Sequence, residues 1–93
     1  MGLIREIGSL VLEDACRTLS ELPEINVAVN ASARELEAPG YALRVLTTLA
    51  RWNLSPDRLE IEMTESATVD NDGELGRTIS TLRTAGVRFA IDD

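Results

Sequence analysis

Three short segments alternate apolar and polar residues with a period of two, and each closes on a side chain that carries an oxygen. In 24–30, Ile25, Val27 and Val29 alternate with Asn26, Ala28 and Asn30. In 59–64, Leu59, Ile61 and Met63 alternate with Glu60, Glu62 and Thr64, and in 87–92, Val87, Phe89 and Ile91 alternate with Arg88, Ala90 and Asp92. A period of two is that of a strand with one buried face. One stretch of helical spacing precedes each strand: 3–21, carried by Leu3, Ile7, Leu10, Val11 and Leu19; 41–52, carried by Ala42, Val45, Leu46 and Leu49; and 73–85, carried by Leu75, Ile79 and Leu82. Pro23 stops the first helix, Asn53-Leu-Ser-Pro56 turns the chain after the second, and Gly86 suits the left-handed end of the third. Residues 31–40 read as a loop, and Asp70, Asn71 and Asp72 offer capping oxygens to the third helix.

Strands separated by single helices require parallel, right-handed crossovers. Asn30 and Glu62 are 32 positions apart and Glu62 and Asp92 are 30, which suits a β/α unit. A central strand of a doubly wound sheet is covered on both faces and apolar throughout. These strands each keep a polar face, which favours a barrel wall over an open sheet. The expected fold is α/β, a partial TIM-like (β/α) barrel of three helix–strand units with parallel strands.

Composition narrows the chemistry. The 93 residues suit one small domain, and no run approaches the roughly 18 apolar residues of a membrane span. The opening Met-Gly-Leu-Ile-Arg-Glu lacks the layout of a secretion signal, so the expected compartment is the cytoplasm. With no histidine and only Cys16, a metal here must be held by oxygen. The net charge of −7 opposes a general grip on polymeric nucleic acid or anionic membrane, and 3% aromatics cannot build a base-stacking platform. All nine basic residues are arginine, so no lysine is available as base or phosphate ligand.

β/α barrels assemble their sites at the C-terminal ends of the strands. Asn30, Glu62, Asp92 and Asp93 stand there, all but Asp93 with inward parity, and hard oxygen donors of this kind suit Mg²⁺ or Mn²⁺, as one ion or two. Each also has a plain alternative. Asn30 can form a turn, and Asp92 and Asp93 can precede a helix. Glu62 is the hardest to explain without a partner, since an inward carboxylate is costly unless a cation or hydrogen bonds stabilise it. Arg88 can pair with Glu60, and Glu65 and Ser66 can brace the following loop or cap a helix.

Three ordered motifs then carry a family resemblance. Val29-Asn-Ala-Ser-Ala-Arg-Glu-Leu36 resembles an Asn-x-Ser motif, Leu59-Glu-Ile-Glu-Met-Thr-Glu-Ser66 a Glu-x-Thr-Glu-Ser motif, and Phe89-Ala-Ile-Asp-Asp93 the start of an Asp-Asp-Phe-Gly motif. The chain resembles the EAL-domain cyclic di-GMP phosphodiesterases over essentially its whole length. The resemblance implies a modified TIM barrel that opens cyclic di-GMP to linear pGpG with Mg²⁺ or Mn²⁺. It implies Asn30, Glu62 and Asp92 as metal ligands, Asp93 shared with a second metal, and Glu65 as support for the loop after the third motif. Arg34 is a candidate phosphate or loop contact.

The resemblance is incomplete. No Glu-Ala-Leu signature precedes the first helix, the third motif stops at Asp93, and the family's later lysine has no counterpart in a chain without lysine. The expectation is a fragment of a phosphodiesterase, inactive by itself. The alternative is a degenerate, non-catalytic module that senses cyclic di-GMP or docks a protein. Three strands cut from a closed barrel also leave two open edges, so self-association is expected.

Overall fold

A computed structural model describes the backbone of residues 2–64 and 73–92, and the side chains of 10–63 and 73–90. Helix α1 spans Gly2–Glu21, strand β1 Val27–Asn30, helix α2 Ala33–Glu37, helix α3 Tyr41–Arg51, strand β2 Leu59–Thr64, helix α4 Glu74–Ala85 and strand β3 Arg88–Asp92. A 3₁₀ turn, Pro56–Arg58, leads into β2. No helix among the described residues is long and apolar enough to cross a membrane.

The three strands form one parallel sheet in the order β1-β2-β3. Leu59 and Ile61 of central β2 are wholly buried and Met63 nearly so, while Glu60 and Glu62 are half-buried. On β1 the pattern repeats, with Val27 and Val29 half-buried and Ala28 and Asn30 exposed. The core of Cys16, Leu36, Val45, Leu49, Leu82 and Val87 gathers on the apolar side of the strands. One covered face and one open polar face make an arc of barrel wall, not a sheet wound on both sides.

Two helices end in the same hydrogen-bonded turn, and each end feeds a strand. After α3, Asn53 is left-handed (φ 57°), with Asn53 N–H donating to the Ala50 carbonyl at 3.0 Å and Leu54 N–H to Leu49 at 2.9 Å. After α4, Gly86 is left-handed (φ 118°), with Gly86 N–H donating to Arg83 and Val87 N–H to Leu82, both at 3.0 Å. Each pair satisfies orphan carbonyls and turns the chain back toward the sheet.

Three local expectations change. The first strand begins at Val27, because Pro23 and Glu24 form a turn closed by Ile25 N–H to the Leu22 carbonyl at 3.3 Å. Residues 31–40 contain the five-residue helix α2, whose Leu36 is wholly buried. The N-cap of α4 is Gly73, which makes no side-chain capping bond; Asp70, Asn71 and Asp72 lie outside the described residues.

Candidate metal centre

The last residue of β1 stands beside the fourth of β2: Asn30 and Glu62 are register partners. Neighbouring strands are about 4.8 Å apart, so an amide and a carboxylate on one face are within reach of a common cation. The pairing is held by the backbone, since Ala31 N–H donates to the Glu62 carbonyl at 2.9 Å. Asn30 is exposed and Glu62 half-buried, and neither side chain hydrogen-bonds to another described residue.

In β3, Ala90 is the partner of Glu62 and Asp92 the partner of Thr64. Asp92 is thus one strand across from Glu62 and two residues further on, about 6.6 Å along the strand. Only its backbone is described. Glu65 and Asp93 lie outside the described residues. Arg34 is exposed in the last turn of α2, four positions past Asn30.

The donor set suits a hard divalent cation. Asn30 offers an amide oxygen and Glu62 and Asp92 carboxylates, all at the C-terminal ends of parallel strands, and no nitrogen or sulfur ligand competes. Among the described side chains, no group of three or more histidine, cysteine, aspartate or glutamate residues is close enough to hold a metal. Asn30 and Glu62 alone would leave most of an octahedral shell to other donors.

The opposite end of the sheet is closed by protein contacts. Arg58 donates to the carbonyls of Leu19 at 3.0 Å, Leu22 at 2.7 Å and Ile25 at 2.7 Å. Its guanidinium therefore answers the orphan carbonyls and partial negative charge at the end of α1. The expected Arg88–Glu60 ion pair is not formed, although the two are register partners. Arg88 instead lies beside the Asn26 amide: with that amide turned so that its oxygen faces the guanidinium, Arg88 donates to the oxygen at 2.5 Å and the Asn26 nitrogen donates to the Ile25 carbonyl at 3.3 Å. Asn26 can face both partners from the turn before β1, and this keeps Arg88 at the far end from Asn30.

Sequence reading missed three devices. Arg58 follows a proline turn and gives no periodic signal. Ser32 and Glu35 form a capping box, legible as Ser-x-x-Glu once a helix is suspected there. Glu13 of α1 accepts hydrogen bonds from Arg51 and from Trp52 Nε1, the latter at 3.0 Å, and these bonds hold its carboxyl below the ordinary value near 4.5.

Two further groups among the described residues are shifted, both by burial. Burial, with some help from the Glu35 charge and against Arg44, pushes the Tyr41 hydroxyl up to about 12. Burial also raises the Cys16 thiol, which is wholly enclosed in the core. A shallow groove of about 290 Å³ between α3 and α4, lined in part by Tyr41, Leu43, Leu46 and Arg77, includes no strand residue and is separate from the strand ends.

The EAL domain family matches residues 1–93. The chain is 34% identical over 96 residues to the signaling protein YkoW of Bacillus subtilis, covering 99% of this chain and 12% of that protein. It is 37% identical over 98 residues to the bifunctional diguanylate cyclase/cyclic di-GMP phosphodiesterase MucR of Pseudomonas aeruginosa, covering 99% and 14% respectively. Among solved structures, the PaMucR phosphodiesterase in complex with c-di-GMP superposes with a TM-score of 0.89 at 39% identity, over 99% of this chain and 41% of that one. The EAL domain of Mycobacterium smegmatis DcpA superposes with a TM-score of 0.80 at 32% identity, over 95% and 42%. The chain thus spans about two fifths of these solved EAL structures and about an eighth of the longer relatives. Its parallel strands with open polar face, its motifs and these matches agree: residues 1–93 belong to the EAL domain family.

Proposed function

We propose that residues 1–93 form part of one EAL barrel that hydrolyses cyclic di-GMP to linear pGpG in the cytoplasm, with Mg²⁺ or Mn²⁺ as cofactor. The observation that carries this reading is the register of Asn30 with Glu62 at the C-terminal ends of adjacent parallel strands. In a β/α barrel that is where substrate chemistry is built. The likeness to a phosphodiesterase solved with c-di-GMP supports that choice of substrate.

In this reading Asn30, Glu62 and Asp92 hold the cation, Asp93 is shared with a second, Glu65 braces the loop beyond β3, and Arg34 contacts phosphate. A divalent cation supplies neutralisation of charge on the phosphoryl oxygens and acidifies water at neutral pH. The chain's own residues fix and orient. Asn30 gives a neutral donor and Glu62 an anionic one from neighbouring strands, so the site keeps room for an anionic substrate. The excess of acidic over basic residues makes a cation necessary between protein and phosphodiester.

The 93 residues alone are inert, because a chain without lysine cannot supply the lysine of the family's later motifs. They also self-associate. Among the described residues β1 and β3 each have one neighbour in the sheet, Ala28, Asn30 and Arg88 are exposed on the inner side, and Leu10 and Val11 are exposed on α1. Sedimentation should therefore return dimers or larger species for the isolated chain; a stable monomer at high concentration contradicts this.

The functional test is turnover of cyclic di-GMP with Mn²⁺ by the complete barrel that carries these residues and by the 93-residue chain. Linear pGpG from the complete barrel alone is the expected result. Tight binding without turnover would assign the non-catalytic sensing module instead, and neither binding nor turnover would remove cyclic di-GMP from the account.

A further inference from the structure

We propose that Ser32 and Glu35 are positioning residues, a clasp that fixes Asn30 against Glu62; the functional meaning of the clasp rests on the reading of Asn30 as a ligand given above. β1 is four residues long and, among the described residues, pairs on one side only, through β2. A short edge strand frays at its end, and Asn30 is its last residue. The final tie to β2 comes one residue later, from Ala31 N–H to the Glu62 carbonyl at 2.9 Å.

Directly after that tie the chain is locked twice. Ser32 N–H donates to Glu35 Oε1 at 3.0 Å, and Glu35 N–H donates to Ser32 Oγ at 3.2 Å. Ser32 is extended (φ −82°, ψ 160°), so the chain passes from strand to helix within two residues, Ala31 and Ser32. On either side of the lock, Ala31 is 6% exposed and Leu36 is wholly buried. A five-residue helix is too short to persist by its own hydrogen bonds. The capping box and Leu36 are therefore what keep residues 31–36 in place, and through Ala31 they hold the end of β1.

The clasp lies two residues from Asn30 and uses both its partners internally. Its contribution is preorganisation: a ligand held near its binding geometry loses less freedom when the cation arrives. The carboxylate of Glu35 is engaged by Ser32 N–H, which sets it apart in role from Glu62.

The test is hydrogen exchange of the complete barrel without metal, followed by Mn²⁺ titration. Ser32→Ala and Glu35→Ala should speed exchange at Ala31 and Glu35 by about fivefold relative to the β2–β3 amides. Ser32→Thr and Glu35→Gln, which keep the capping bonds, should restore it. Gly86→Ala, a perturbation remote in sequence, should not single out Ala31. In the titration, the Mn²⁺ concentration that half-broadens the Asn30 side-chain amide should rise at least about threefold in Ser32→Ala and return in Ser32→Thr.

Unchanged relative exchange at Ala31 in Ser32→Ala, or an equal acceleration across all strands, would overturn the clasp. If the unsubstituted barrel shows no Mn²⁺ broadening near Asn30, the ligand reading fails, and the exchange data still decide whether the clasp holds the strand end.

Discussion

The two ends of the sheet treat their described polar residues differently. At the N-terminal end the arginines face protein partners: Arg58 is spent on three carbonyls, and Arg88 lies against the Asn26 amide. At the C-terminal end the backbone is tied by Ala31 and the Ser32–Glu35 box, while the side chains of Asn30 and Glu62 bond to no other described residue. One end spends its polarity on holding the fold. The other holds its backbone and keeps polarity available, the division expected between the stability face and the reaction face of a β/α barrel.

The comparison can be broken most directly by exchanging the consequences of substitution at the two ends. Asn30→Ala or Glu62→Gln in the complete barrel should lower cyclic di-GMP turnover by more than about 100-fold, while urea midpoints stay nearly unchanged. A large loss of stability with the turnover of the folded protein intact would make Asn30 and Glu62 structural and erase the contrast.

Arg58→Ala should do the reverse. Removing a cation that satisfies three carbonyls is expected to cost roughly 3 kcal/mol of stability, read from urea unfolding, with turnover by the folded fraction preserved. Arg58→Lys should recover part of the loss, since an ammonium keeps the charge at the end of α1 and forfeits the planar fork.

Gly86→Ala tests the entry to β3 at that same structural end. A Cβ there would sit at ordinary contact distances, 3.5 Å from Pro56 Cβ and 3.7 Å from Asp57 N, so the penalty comes from the left-handed backbone. About 1–2 kcal/mol of destabilisation is expected by thermal or urea melting. A neutral result would mean the turn relaxes without disturbing β3.

The smallest effect is expected on the helix layer, at Glu13. Its folded-state carboxyl is held below the ordinary value near 4.5 by Arg51 and Trp52. The stabilisation is therefore present above the unfolded value and is lost as pH falls through the folded one. Trp52, the only tryptophan, should report this as a change of emission below about pH 4.5. Glu13→Gln should abolish that step and leave turnover unaltered; an unchanged emission step in Glu13→Gln would assign it elsewhere.

Much of this architecture was written in residue periodicity. The alternation of Leu59, Ile61 and Met63 with Glu60 and Glu62 announced both the strand and its covered face, and Asn53 and Gly86 announced the turns that feed β2 and β3. The inward residues of β1 and β2 were legible for the same reason, because parity fixes the face; the register, which sets Asp92 beside Thr64 and not Glu62, was not. What periodicity could not show were contacts set by tertiary approach. Arg58 reaches residues more than 30 positions away, and Arg88 chose an amide from a neighbouring turn over the carboxylate beside it. Helix α2 escaped because five residues cannot display a helical period, although its Ser-x-x-Glu box was present in the sequence.

The account turns on whether a cation sits at the Asn30–Glu62 end. Anomalous scattering from Mn²⁺ in crystals of the complete barrel measures this directly. The prediction is a peak about 2.1 Å from Asn30 Oδ1 and from oxygens of Glu62 and Asp92. A peak elsewhere, with Asn30 and Glu62 bonded only to protein, would contradict it.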